Sequence, residues 1–179
     1  MPRMIESDRI ADVFLVHLQA FGDARGSFRE TFRREWFPQR RWEMMQTNCS
    51  HSQAGVVRGL HYHFRQVDYW YVTAGKIRAA LFDMRPGSRT YRATQTLDMS
   101  AETDMGLFIP IGVAHGFAAL TDATLIYVVD HYFDGSDEFG VAWNDPTLAI
   151  DWGVAEPIVS PRDARYRPYA EIEAEFRPK

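Results

Sequence analysis

What most constrains this chain is the rhythm of its apolar residues. Short runs rich in β-branched and aromatic side chains recur along it: Val13–Val16, Gly26–Phe32, Tyr69–Thr73, Ile77–Phe82, Ala93–Leu97, Leu107–Ile109 and Leu125–Val129. Turn-forming clusters such as Arg85-Pro86-Gly87-Ser88, Pro110-Ile111-Gly112 and Asp134-Gly135-Ser136 punctuate them. Runs this short, bounded by Gly, Pro, Asn and Asp, read as strands. Many closely spaced strands predict an antiparallel sandwich or barrel, a class that includes jelly rolls. In the Gly26–Phe32 run, Phe28, Glu30 and Phe32 would share one strand face. Helix is expected in only two places. One is Arg33 to Arg41. The other is the tail from Arg162 to Phe176, where Ile172 and Phe176 are spaced i, i+4 but Pro168 interrupts, so a short terminal helix at most is expected.

A length of 179 residues suits a single domain spanning the whole chain, with a full apolar core and no need of disulfides. Twenty basic against 24 acidic residues leave a net charge of −4, so no cationic surface for nucleic acid is expected. No apolar run approaches the roughly 18 residues of a membrane span. The start, Met1 to Asp8, has no apolar segment of the secretory kind. The lone Cys49 has no internal partner and reads as a small packing residue. These features predict a cytoplasmic protein without membrane or nucleic-acid partners.

Three of six histidines sit in suggestive patterns. His61 and His63 are two apart, so on a strand both point to one side and Tyr62 to the other. Asp68 follows after a short turn and opens the next strand. Pro110-Ile111-Gly112 then turns the chain so that His115 stands near the start of another. His17 and His51 carry no motif. His131 is expected to point away from Tyr132 by strand alternation, and Tyr69, Trp70 and Tyr71 are expected in the core or at a subunit interface.

The spacing G-x5-H-x-H-x4-D-x6-G from Gly55 to Gly75, with Pro110-x-Gly112-x2-His115 further on, resembles the two cupin motifs. Asp68 stands where Glu is usual. From about Phe21 to Asp163 the chain more closely resembles the dTDP-4-dehydrorhamnose 3,5-epimerase family. The matching pieces include Asp23-Ala24-Arg25-Gly26-Ser27-Phe28, Gln46-Thr47-Asn48, Arg58-Gly59-Leu60-His61-Tyr62, Ala114-His115-Gly116-Phe117, Trp143-Asn144-Asp145-Pro146 and Ser160-Pro161-Arg162-Asp163. The resemblance implies a mainly β, cupin-type antiparallel jelly-roll barrel with a few short helices. It also implies a homodimer with exchanged N-terminal strands. The implied activity is epimerisation of a nucleotide-linked, dTDP-type 4-keto-6-deoxy sugar in deoxysugar biosynthesis, with no cofactor.

By the same resemblance His61 is the base that removes a proton beside the ketone, Asp163 its carboxylate partner, and Tyr132 the group that returns a proton from the opposite face. A carboxylate fixes an imidazole's tautomer and raises its basicity. Arg25, Glu30, Gln46, Asn48, Arg58, His115 and Arg162 are the implied substrate-binding residues, with arginines suited to phosphate. Two departures stand out. Asp68 occupies the place of a family lysine that helps stabilise the enolate, and His63 that of a neutral residue. An ionised carboxylate does not stabilise a neighbouring oxyanion. Together the changes create a His61, His63, Asp68, His115 set suited to a divalent transition metal. A metal-dependent cupin enzyme, or a sugar-nucleotide binding protein without activity, are the alternative readings. If His61 ligated a metal, its lone pair would not be free to act as a base.

Overall fold

A computed structural model of the chain describes residues 2–179. The predicted rhythm becomes two stacked sheets. One runs in the order β1 (Arg3–Glu6), β2 (Phe14–His17), β10 (Met105–Ile109), β7 (Asp68–Ala74), β12 (Ala123–Val129), β5 (Gln46–Ser52). The other runs β13 (Phe139–Gly140), β6 (Val56–Tyr62), β11 (Val113–Ala119), β8 (Lys76–Asp83), β9 (Thr94–Ser100). This is a jelly-roll barrel, antiparallel throughout except where the short β14 (Ile158–Val159) lies parallel to β6. A separate hairpin, β3 (Ala20–Asp23) with β4 (Gly26–Arg29), stands outside both sheets.

Period-two alternation places the core. Val72, Ile77, Leu81, Leu107 and Leu125 fill the space between the sheets. Behind the first sheet, Trp36, Phe37 and Trp42 pack on Tyr69, Tyr71 and Phe108. Behind the second, Trp152, Tyr169 and Leu148 of the C-terminal segment cover Leu60, Tyr62 and Phe82. The high aromatic content is therefore spent on sealing the outer sheet faces, where large flat side chains bury most apolar area per residue.

The short helices expected in two places appear only as single 3₁₀ turns. Arg33 to Arg41 holds only a 3₁₀ turn at Arg34–Trp36, and Pro38 prevents its extension. The tail breaks into three such turns at Asp163–Arg165, Tyr169–Glu171 and Ala174–Phe176. Ile172 is buried while Phe176 is exposed, so the two do not share a packed face. The Gly26–Phe32 run likewise stops being a strand at Arg29. Phe28 is exposed, whereas Phe32 turns inward against Phe37 and Trp42. Among the described residues no helix is long and apolar enough to cross a membrane.

Two glycines let the strands bearing His61 and His115 approach. Gly59 has φ +112°, and a side chain there would meet the Gly116 Cα and the His115 carbonyl oxygen, each at 2.7 Å. A side chain on Gly116 would meet the Arg58 carbonyl oxygen at 2.5 Å. β6 and β11 thus bring His61 opposite His115 in register.

Candidate active site

One end of the space between the sheets is open, forming a cavity of about 540 Å³. Strand alternation sets most of its walls, and in β6 a bulge opposite β11 brings Arg58 and His61, three residues apart, to the same side. Gln46, Asn48 and Ser50 project from β5, Arg58 and His61 from β6, Asp68 and Trp70 from β7, His115 and Phe117 from β11, and Leu125, Tyr127 and Val129 from β12. The intervening Thr47, Cys49 and His51 of β5 are exposed on the other face. Cys49 therefore packs against nothing in the core, contrary to expectation, because β5 is an edge strand whose outer face is uncovered.

On one wall His61 Nε2 lies 2.9 Å from Asp163 Oδ1. Asp163 is almost fully buried, and its other oxygen accepts the Gly59 N–H at 3.1 Å. Burial opposes its ionisation, but the hydrogen bond and charge of His61, the Gly59 amide and Arg162 together hold its carboxyl below the ordinary aspartate value. An ionised carboxylate accepts only, so Nε2 must carry the proton and the lone pair of neutral His61 is at Nδ1. Arg162 also approaches Nε2, at 3.2 Å, and forms its own ion pair with Glu138 at 2.8 Å. Tyr166 packs edge-on against the imidazole.

A second cluster forms the cavity floor. His63 Nδ1 faces the Asp137 carbonyl oxygen at 2.6 Å, and His115 Nδ1 faces that of Val113 at 2.9 Å. A carbonyl cannot donate, so both Nδ1 atoms are protonated and, in the neutral rings, both Nε2 atoms present lone pairs. These point toward Asp68 Oδ2, at 4.0 Å from His63 and 3.8 Å from His115. Asp68 is buried and receives hydrogen bonds from Trp70 Nε1 at 3.2 Å and Gln66 Nε2 at 3.1 Å. Burial pushes the His115 pKa down to about 4, with Asp68 opposing that shift.

The sequence-derived residues are thus distributed unevenly. His61, Gln46, Asn48, Arg58, His115, Arg162 and Tyr132 line the cavity, as do His63 and Asp68. Asp163 lies behind His61 rather than on the surface. Two expected substrate-binding residues do not reach this cavity: Arg25 pairs with Asp23, and Glu30 with Arg33, both exposed on or beside the hairpin. The four-residue metal set also divides. His63, Asp68 and His115 offer donor atoms within 4.8 Å of one another, while His61 is engaged by Asp163. His131 lines the cavity instead of pointing away, continuing the alternation of Leu125, Tyr127 and Val129, and Tyr132 joins it on the same side because β12 ends at Val129. Tyr127, Trp70 and Glu138 line it unannounced. For Tyr127 a signal existed, since it alternates with Leu125 and Val129 on β12.

Residues 7–171 match the family model for dTDP-4-dehydrorhamnose 3,5-epimerase. A protein of that name from Neisseria gonorrhoeae is 37% identical over 92% of this chain, which spans about half (52%) of that relative's length. A Shigella flexneri protein of the same name is 33% identical, with 92% of this chain and 94% of that one covered. The fold is similar to a crystal structure of dTDP-6-deoxy-D-glucose-3,5-epimerase from Legionella pneumophila in complex with dTDP-4-keto-L-rhamnose. That similarity has a TM-score of 0.92 and 33% identity, over 100% of this chain and 98% of that one.

Proposed function

The chain belongs to the dTDP-4-dehydrorhamnose 3,5-epimerase family, and from that premise we propose that it epimerises a dTDP-linked 4-keto-6-deoxy sugar in deoxysugar biosynthesis. It is an isomerase. The observation that carries the reading is the His61–Asp163 pair, 2.9 Å apart, facing a cavity large enough for a sugar. His61 Nδ1 takes the proton from the carbon beside the ketone. The C–H electrons move into the carbon–carbon bond, and the ketone oxygen gains the charge of an enolate. Asp163 holds the imidazole in the required tautomer and stabilises the imidazolium that forms. Tyr132, which follows β12 of the facing sheet, returns a proton from the other side and so inverts the carbon. No electrons leave the substrate, so these steps call for no redox group.

Gln46 and Asn48, bonded to each other at 2.7 Å, line one wall, and Arg58 and Arg162 supply positive charge for the diphosphate. Arg25 and Glu30 act in the same reading through a homodimer. Phe21 and Phe28 on the outlying hairpin are 54% and 67% exposed, a surface suited to a second copy of the chain. The hairpin would carry Arg25 and Glu30 to the partner's cavity. The whole chain works as one domain, in the cytoplasm, consistent with its single unpaired cysteine.

The test is solvent deuterium wash-in. The full chain, incubated with a dTDP-4-keto-6-deoxy sugar in deuterium oxide, should place deuterium on carbon beside the ketone, and His61→Asn should abolish it. Wild-type protein that binds the sugar nucleotide but exchanges no carbon-bound hydrogen would overturn the enzyme reading in favour of a binding protein.

A further inference from the structure

We propose that His63, Asp68 and His115 form a site for one divalent transition-metal ion, separate from the His61–Asp163 pair. Three features carry this. First, both imidazoles give Nδ1–H to backbone carbonyls, the Asp137 oxygen at 2.6 Å and the Val113 oxygen at 2.9 Å. That arrangement fixes the tautomer and aims each Nε2 lone pair at the same point, as the outer hydrogen bonds of metal-binding histidines do. Second, Asp68 is 3% exposed and no Lys or Arg pairs with it among the described residues. A buried carboxylate ordinarily has a cationic partner or a metal. Third, the donor atoms lie within 4.8 Å of one another on the floor of an open cavity, leaving room for further ligands.

The spacing fits an empty site. Ligands about 2.1 Å from a shared ion stand roughly 3.0–3.4 Å apart, so the set must close from 3.8 and 4.0 Å at Asp68, and from as much as 4.8 Å overall. Gln66 Nε2 bridges the gap, 3.3 Å from His63 Nε2 and 3.1 Å from Asp68 Oδ2. Rotating that amide would turn its oxygen toward an ion. Two imidazoles and one carboxylate suit zinc, iron(II), cobalt(II) or manganese(II) rather than calcium or copper(I). Resting on the epimerase reading, a cation here would draw the charge that develops on the ketone oxygen, a task that three lone-pair donors cannot perform alone.

The experiment reads metal content. Full-length protein, stripped with chelator and reloaded with Co²⁺, is followed by its visible ligand-field bands and by elemental mass spectrometry. About one equivalent per chain is expected. Asp68→Asn and His63→Gln should each lose it, while His61→Asn and the surface variant His51→Ala should keep it. Circular dichroism establishes that each variant is folded, and two near-isosteric changes guard against one that is not. Failure of the wild type to take up Co²⁺ or Zn²⁺, or uptake unchanged in both folded site variants, overturns the proposal and leaves Asp68 a polar floor satisfied by Gln66 and Trp70. Either result stands apart from the wash-in experiment, since no turnover is measured.

Discussion

Replacing Asp163 by Asn is the most informative single change. Asp163 answers two donors at once: Oδ1 takes His61 Nε2–H at 2.9 Å, and Oδ2 takes the Gly59 N–H at 3.1 Å. An amide has only one oxygen. If Asn turns its oxygen to Gly59, its NH₂ faces His61 Nε2 and donates to it. The imidazole then carries its proton on Nδ1 and has no lone pair for the substrate. If the oxygen faces His61, the tautomer survives without the charge that stabilises imidazolium, and the buried Gly59 N–H meets a donor. Leaving that group unsatisfied costs about 1–3 kcal/mol.

A misdirected tautomer in a comparable carboxylate–histidine pair costs about 10⁴-fold in turnover, and general-base catalysis as a whole contributes about 10²–10⁴-fold. We therefore expect kcat for wash-in to fall about 10³-fold in Asp163→Asn, with KM little changed because Asp163 does not line the cavity. The wild-type carboxyl is held below its ordinary 3.8, so its contribution to stability is present above that value and disappears as pH falls through the lower folded value. The variant should lack that acid-side loss. Deuterium incorporation, measured by mass spectrometry over a range of substrate concentrations, decides the matter. Exchange in a folded Asp163→Asn protein within about tenfold of wild type would refute the role given to the pair.

Tyr132→Phe should separate exchange from inversion: His61 can still wash deuterium onto its own face, while the inverted product falls at least about 10²-fold, as chiral analysis of the sugar would show. Gly59→Ala should lower Tm by several degrees, since its side chain meets two backbone atoms of β11 at 2.7 Å and φ is +112°. An unchanged melting curve would contradict that packing. Asp83→Asn should destabilise by about 2 kcal/mol in denaturant titrations, because buried Asp83 answers Arg85, Ser88 and Thr90, and Arg85 would keep only the exposed Asp12 as a charged partner. Phe21→Asp with Phe28→Asp should make the protein monomeric in sedimentation velocity; a wild type that is already monomeric would remove the hairpin from the active site.

The strands and the inward faces were legible because both rest on local rules. β7, β8, β10 and β12 announce themselves by aromatic and β-branched runs, and the His61–His63 spacing puts both rings on one side by geometry alone. β5 was not announced as a strand. Gln46-Thr47-Asn48-Cys49-Ser50-His51-Ser52 has no apolar signal, since one face lines a wet cavity and the other meets solvent. It is a strand because β12 supplies its hydrogen bonds, which is a tertiary cause. The shortness of the helices has a complementary explanation. Pro38 and Pro168 limit helix length, and the aromatic residues beside them find sheet faces to cover, so short turns that aim Trp36, Phe37 and Tyr169 inward win.

The division of the histidines was beyond any spacing argument. His61, His63 and His115 look equivalent in the motifs, and one imidazole cannot serve both as base and as ligand. What separates them is chain that arrives from far away. The 3₁₀ turn at Asp163–Arg165 brings a carboxylate 102 residues distant in sequence behind His61, and the Gly135–Asp137 turn brings a carbonyl 74 residues distant behind His63. Each ring's reactive nitrogen is decided by what stands behind the other one: a carboxylate leaves His61 Nδ1 basic, whereas carbonyls leave the Nε2 atoms of His63 and His115 converging on Asp68. His61, backed by a carboxylate, and the His63–His115 pair, backed by carbonyls and facing Asp68, are thus two different arrangements on one cavity, and the proposed base and the proposed ion draw on different histidines.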